Sequence, residues 1–427
     1  MHRHRALVLL GVVIAAAVVA LAAYGSTAKR HDTVTITFME AMSSGAQKPA
    51  LDLLTKRFEA SHPGITVNLI AEPNYGVLQQ KEQASIAAGA PPTIAQAYEN
   101  WAAGYADAKA IIPISGYVNN KKVGVKPADQ QQIWKGVWKD LYLPDGKIWM
   151  WPFNKSDYVV YYNADMLQKA GLSVPKTWVD YAKVAKAVTK NGNWAESLDT
   201  GTLSSPANGT YVYLSIVRAF GGTWVANGKP TLDTKAGIKA LGFLADLKKS
   251  GALQIGTNYP GETALGAGRS AFDLSTVAGY PYVLAAAGGK FAMKVAPMFT
   301  GRNGQGNSLQ GTNIVIFAKS SNAERAAAWE YMKFLSEPRQ TAYWAETTGY
   351  LPVTRAALPV MKRYIATHPY QQIAAQSLQT AGGSPPYAWW TAAVGQVAQA
   401  MQSVLDNGGD PAAALGKAQQ AALAAAG

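Results

Sequence analysis

The side chains best suited to bond-making chemistry are few in this chain and poorly spaced for it. Of five histidines, His2 and His4 lie in the basic N-terminal stretch, His31 follows it, and His62 and His368 each precede a proline. None is spaced for a metal site or for a Ser-His-Asp set. There is no cysteine, which excludes disulfides and thiolate metal centres. Gly301-Arg302-Asn303-Gly304-Gln305-Gly306 is glycine-rich, but it matches neither dinucleotide nor P-loop spacing and opens no helix. Glu99 and Asp157 could face each other as the paired carboxylates of a glycan hydrolase, the one catalytic alternative these residues leave open. The expectation is a protein that is not an enzyme and uses no cofactor or metal.

The 427 residues are enough for two lobes with separate cores. With 48% hydrophobic and 15% charged residues the chain reads as globular. Its net charge is +13, yet it carries no motif that reads DNA or RNA, so the basic balance points to a solvated surface near anionic envelope material rather than a nucleic-acid partner. Met1 to Arg5 is a basic start and Ala6 to Ala23 an apolar run of signal-peptide to short-anchor length. Ser26-Thr27-Ala28 offers a cleavage option. Residues 1–28 are thus expected to be a signal peptide or N-terminal anchor, whose removal would delete Arg3 and Arg5 and take the charge from +13 to +11. Leu21 to Ser26 looks like a lipobox with Tyr24 where the acylated cysteine would stand, so the protein is expected to be exported, then either secreted or held by an uncleaved helix.

Hydrophobic periodicity sets the scaffold. Thr33 to Phe38 alternates as a strand, and Leu51, Leu54 and Phe58 share one face of a helix over 48–58. Ser61-His62-Pro63-Gly64 ends that helix and Ile65 to Ile70 is the next strand. A strand, a helix and a strand at this spacing imply a parallel pair with right-handed crossover. A helix over 79–88 and a strand from Thr93 to Tyr98 continue the doubly wound pattern. Tyr75, Glu99 and Trp101 then fall in loops near strand ends, where open α/β sheets bind ligands. Further on, Tyr158 to Tyr162 is a strand, Thr177 with Asp180 caps a helix to Val188, and Thr234 to Ser250 is helical. Asn313 to Ala318 is a buried strand, Asn322 caps a helix, and two helices, 394–405 and 411–425, close the chain. The stretch from Asn193 to Asn208 is the candidate variable insertion. Trp149, Trp178, Trp329 and Trp344 lie on periodic segments and are expected in the core.

The segment Gly146 to Val188 resembles the family 1 extracellular solute-binding proteins of ABC importers. It carries Tyr161-Tyr162-Asn163 at a strand end, Ala170-Gly171-Leu172 after a helix, then Pro175-Lys176-Thr177-Trp178. Leu51 to Ile65, Asn313 to Pro338 with Thr348 to Val353, and Tyr387 to Trp390 are similar to further blocks of that family in the same order. The resemblance implies an α/β fold of type II periplasmic-binding-protein architecture, two lobes with a ligand cleft between them. It implies a first lobe over 33–155 and 310–352, and a second over 156–309 and 353–427. Crossings are expected near Phe153 to Tyr158, Ser308 to Thr312 and Pro352 to Arg355. A monomer that closes about its hinge and docks on the transmembrane subunits of a permease is the mechanism so implied.

Within that family, Asn74-Tyr75, Tyr98-Glu99, Pro152-Phe153-Asn154 with Ser156, Gly311 and Tyr350 resemble ligand-touching positions of the glycerol-3-phosphate and glycerophosphodiester binders. Those relatives also present tryptophans after the Pro-x-Thr-Trp helix and an arginine near the C-terminal helix. Here the two regions read Leu203 to Asn208 and Trp389-Trp390-Thr391, without the arginine that an anionic phosphate favours. The expectation therefore moves toward a sugar, which wants aromatic planes for its C–H faces and fixed polar groups for its hydroxyls. Candidate planes are Tyr75, Trp101, Trp151, Tyr350, Trp389 and Trp390. Candidate polar contacts are Glu99, Asn100, Asn154, Ser156, Asp157 and Ser275, with Gly311 added by the resemblance. A glycerophosphodiester binder is the alternative, and a surface solute sensor or a glycan-acting enzyme would belong to another class.

Overall fold

A computed structural model describes residues 33–202, 207–304 and 306–427. The proposed signal segment, Leu203 to Pro206 of the variable stretch and Gln305 lie outside the described residues. Residues 34–97 form the expected wound sheet. Strands β1 (Val34–Glu40) and β2 (Ile65–Ala71) pair in parallel over seven residues, and β3 (Ile94–Ala97) pairs in parallel with β1 on its other side. Helix Gln47–Ser61 crosses between β1 and β2 and buries Leu51, Leu54 and Phe58. Helix Tyr75–Ala87 begins four residues earlier than its periodicity suggests, because the Asn74 side chain accepts the Val77 amide as an N-cap.

The strand expected from Tyr158 runs back to Trp151, giving a thirteen-residue β4 (Trp151–Asn163). Its length comes from a partner that the local pattern does not reveal. Strand β9 (Leu309–Ile316) lies antiparallel to β4 from Asp157 back to Trp151, with one irregularity at Thr312/Asn313, and pairs with β3 through its other half. The far half of β4 is flanked by β7 (Phe272–Thr276) and β8 (Met293–Pro297), both antiparallel. Two short parallel strands, β5 (Glu196–Leu198) and β6 (Leu253–Ile255), form a separate ladder.

β4 is therefore shared between two hydrophobic cores. Val159 and Tyr161 point into a core built on β1 to β3, whereas Tyr158 and Val160, on the opposite face, join a second core. Trp178, which follows the Thr177 cap, belongs to the second core, while Trp329 and Trp344 belong to the first. Trp149 is half-buried and donates its indole N–H to Asp145. The late helix Asn322–Ser336 is capped by Ser321 rather than Asn322, through a reciprocal capping box with Glu324. Helix Tyr370–Ser377 packs toward the first core, with Tyr370 stacked on Tyr280 at 3.7 Å. The closing helices Trp390–Leu405 and Pro411–Ala426 lie on the second core. No helix among the described residues is long and apolar enough to cross a membrane.

Candidate functional site

A cleft of about 680 Å³ lies where strand ends of both halves converge. One wall comes from the first half of the fold. It carries Tyr75 at a helix start, Tyr98 just after β3, Gln310 and Gly311 on β9, and Tyr350 behind the left-handed Gly349. The facing wall carries Asp199 to Thr202 after β5, Asn208 and Tyr211 at a helix start, Gly256 to Tyr259 after β6, and Ser275 and Thr276 at the end of β7. Both walls thus use carboxyl ends of strands, where loops are free to diverge around a ligand. Ser156 and Tyr158 of β4 line the region between the walls, and Gln402 and Asp406 of the penultimate helix complete it.

A hydrogen-bonded group anchors the first wall. Asn154 is fully buried and its Oδ1 accepts from Gln96 Nε2 at 3.0 Å and from the Thr312 hydroxyl at 2.6 Å. Its Nδ2 donates to the Tyr75 hydroxyl at 2.6 Å, and that hydroxyl lies 3.2 Å from the Tyr350 hydroxyl. Asn154 therefore fixes the Tyr75–Tyr350 pair from behind instead of lining the cleft. Burial raises the phenol pKa of Tyr75, Tyr98, Tyr158 and Tyr350; neighbouring tyrosines add to the rise at the first three, whereas the hydrogen bonds with Tyr75 and Asn154 temper it at Tyr350. All four stay neutral and able to donate.

The thirteen candidates separate into groups. Tyr75, Ser156, Ser275, Gly311 and Tyr350 line the cleft together. Trp101 is buried and meets Tyr98 edge-on at 5.1 Å, one layer back. Trp151 is 1% exposed, donates to Ser336 Oγ at 2.9 Å and packs on Trp329, away from the cleft. Trp390 is also 1% exposed and packs in the second core near Trp224, because the helix it opens turns that face inward. Trp389 is half-buried, stacked on Tyr387 and outside the cleft lining. Asn100 donates to the Thr391 hydroxyl at 2.6 Å and ties the two halves together. Asp157 is fully buried, neither carboxylate oxygen has a partner among the described residues, and burial raises its pKa well above the usual carboxylate range.

Glu99 lies on the other face of the crossing strands, against a second cavity of about 470 Å³. There Lys155, fully buried on β4, places Nζ 2.5 Å from Asp140 Oδ2 and 3.5 Å from Glu99 Oε1. Burial, then the Asp140 charge, raises the Glu99 pKa well above normal. Burial also opposes ionisation of Asp140, but the Lys155 ammonium and the hydrogen bonds from Glu99, Lys155 and Asn313 outweigh it and hold Asp140 below its usual range. One proton is thus kept on Glu99 and the cluster carries no net charge. Glu99 and Asp157 do not form a facing pair: Glu99 belongs to this cluster, whereas Asp157 has no partner among the described residues.

Tyr158, Asp199, Asn208, Tyr211 and Tyr259 reach the cleft although the candidate set omits them. Tyr158 and Tyr211 sit on periodic elements where an aromatic reads as core. Asn258-Tyr259-Pro260 is a turn signal before a helix, and it is the one local cue that could have drawn attention to Tyr259. Among the described residues no histidine lines the cleft, and no group of three His, Cys, Asp or Glu side chains could hold a metal ion.

Comparison with known proteins agrees with this geometry. The family described as bacterial extracellular solute-binding protein matches residues 54–375. The chain belongs to that family. The sn-glycerol-3-phosphate-binding periplasmic protein UgpB of Rhizobium meliloti is 26% identical over 353 residues, 80% of each chain. In fold, the chain is similar to UgpB from Mycobacterium tuberculosis, solved with glycerophosphocholine, at a TM-score of 0.80 and 21% identity over 92% of this chain and 98% of that one. It is also similar to the cyclic alpha-maltosyl-1,6-maltose binding protein from Arthrobacter globiformis, at 0.78 and 21% over 92% and 99%. These relatives are binding proteins, and this solute-binding protein shares their two-lobe architecture. Its role is that of the extracellular solute-binding component of an ABC importer.

Proposed function

We propose that this solute-binding protein captures a neutral polyhydroxylated solute, a sugar or short oligosaccharide, in the 680 Å³ cleft and hands it to the transmembrane subunits of its permease. The observation that carries the sugar reading is the lining itself. Six tyrosines (75, 98, 158, 211, 259 and 350) surround the space, the charged groups are Asp199 and Asp406, and no lysine or arginine lines it among the described residues. Tyrosine faces accept the C–H side of a pyranose, while phenols, Asn208 and the serine hydroxyls satisfy its O–H groups. A phosphate would enter facing two carboxylates with no cation to offset its charge. Arg218 donates to the Gly382 and Gly383 carbonyls at 2.7 Å, on the side of the second cavity.

Glycerophosphodiesters are the second reading, favoured by the names of the relatives that match most of the chain. In either reading the lobes are 33–155 with 310–352 and 156–309 with 353–427, with helix Tyr370–Ser377 of the second reaching across onto the first core. The protein acts as an exported monomer at the outer face of the membrane and performs no catalysis. Close approach of the two lobes supports a hinged clamp: a methyl group on Gly45 would lie 3.1 Å from the Tyr282 hydroxyl, and one on Gly349 would lie 3.1 Å from Pro281 Cδ. Calorimetric titration with maltotriose, cellobiose, xylobiose, glycerol 3-phosphate and glycerophosphocholine tests the assignment. Saccharide binding that falls at least tenfold in Tyr211→Ala, about 1.4 kcal/mol, is expected. Binding of glycerophosphocholine alone would overturn the sugar reading.

A further inference from the structure

Tyr259 combines three properties seldom found together. It is a non-glycine residue at φ +57° following Asn258 at φ +55°, so two successive side-chain-bearing residues occupy the left-handed region. It is 69% exposed, the highest value among the large hydrophobic residues that remain on the surface. It also lines the main cleft, whose other tyrosines are largely sequestered from water. A surface tyrosine alone needs no explanation, but a strained one held at a ligand cleft does.

The strain is maintained by contacts on both sides of the turn. The Asn258 amide donates to Asp199 Oδ2 at 3.0 Å, and Asp199 Oδ1 accepts the Gly201 amide at 2.8 Å, so one carboxylate ties together two segments of the wall. Pro260 opens the next helix with fixed φ, and the Tyr259 carbonyl accepts the Thr263 amide at 3.2 Å. Gly256 lets the turn fold against Pro260, since a Cβ there would lie 2.7 Å from the proline Cβ. No side-chain hydrogen bond holds the Tyr259 phenol among the described residues, so the turn is held by its backbone while the ring stays free. The ring shares the cleft lining with Tyr158 on β4 and with Tyr350 on the first wall.

We propose that Tyr259 is a ligand clamp, a ring held in a strained backbone so that it closes over the solute against Tyr158 and Tyr350 and helps select ring-shaped ligands. This inference rests on the cleft being the solute site. A glycine at 259 removes the ring and relieves the left-handed strain together, so binding and stability should move in opposite directions. A merely structural tyrosine would lower both.

The test measures Tyr259→Gly and Tyr98→Ala in the full chain, by calorimetric titration with maltotriose and with glycerophosphocholine, and by thermal melting without ligand. Expected for Tyr259→Gly is at least a fivefold loss of affinity for the probe that wild type binds, with a melting temperature equal to or above that of wild type. A loss smaller than fivefold, with affinity reduced in Tyr98→Ala, would overturn the clamp and leave the cleft assignment standing. A lower melting temperature in Tyr259→Gly would overturn the stored-strain argument. Unchanged affinity in both variants would remove the cleft assignment and the clamp with it.

Discussion

Replacing Lys155 by methionine probes the charge cluster beneath the crossing strands. The ammonium is fully buried, 2.5 Å from Asp140 and 3.5 Å from Glu99, and Gly311 O lies a further contact at 3.4 Å. Methionine fills much of the volume, so the cavity term is small and the electrostatic term dominates. Asn313 Nδ2 still donates to Asp140 at 3.0 Å and to Glu99 at 3.3 Å, but the ammonium that offsets the Asp140 charge is gone. Breaking a buried pair from one side costs about 3 to 5 kcal/mol, which sets the expected loss at pH 8. The lowered Asp140 pKa of the native protein changes stability only below about pH 4, so the dependence between pH 8 and pH 4 comes from the variant. Stability from that carboxylate is present above its unfolded value near 4 and is lost as the pH falls through the folded value. The variant lacks this contribution, and its Asp140, without the cation, prefers to be protonated. The gap between wild type and variant should therefore narrow steadily from pH 8 to pH 4. Urea unfolding followed by tryptophan fluorescence at pH 8, 6 and 4.5 measures it. The double variant with Asp140→Asn should be less destabilised than the sum of the single changes, because no unpaired carboxylate remains at that position. A loss under about 1 kcal/mol at pH 8, or a loss independent of pH, would refute the argument.

Asp273 is buried, with Oδ2 lacking a partner, and burial followed by the Glu262 charge pushes its pKa up to about 7. A raised acid destabilises the fold as pH climbs from about 4 to about 7, here by on the order of 4 kcal/mol, so the stability–pH curve of Asp273→Asn should be flatter than that of wild type over this interval. Gly311→Ala should lower stability by at least about 3 kcal/mol in thermal melting, since φ is +80° and the new Cβ would lie 1.8 Å from the Asn154 carbonyl oxygen. Trp390→Ala should cost about 3 to 5 kcal/mol in urea unfolding because the ring is a fully buried part of the second core.

The amino-acid order by itself determined the scaffold and the kind of protein. Alternation in β1 and β2, the Leu51-Leu54-Phe58 face and the Thr177 cap are local features, so they survive in the structure with shifts of a few residues. Their ordered resemblance to a solute-binding family carried the function, and the family match over residues 54–375 agrees with it. The wall formed by Tyr75, Ser156, Gly311 and Tyr350 was legible because each stands at a strand end or in a family block.

Only the tertiary structure decided which aromatic faces the ligand cleft. Trp151 and Trp390 have the composition of sugar platforms, but a side chain's direction depends on which face of its strand or helix meets a core, and both face inward. Tyr158, Tyr211 and Tyr259 come from three separate segments and converge because β4, a helix start and a strained turn are brought together by packing distant in sequence. The same packing sends Lys155 and Ser156, adjacent in sequence, to opposite sides of the crossing strand, one into a buried charge cluster and the other into the cleft. Spacing along a chain fixes periodicity, whereas burial and charge partners are set by neighbours that only the folded chain supplies.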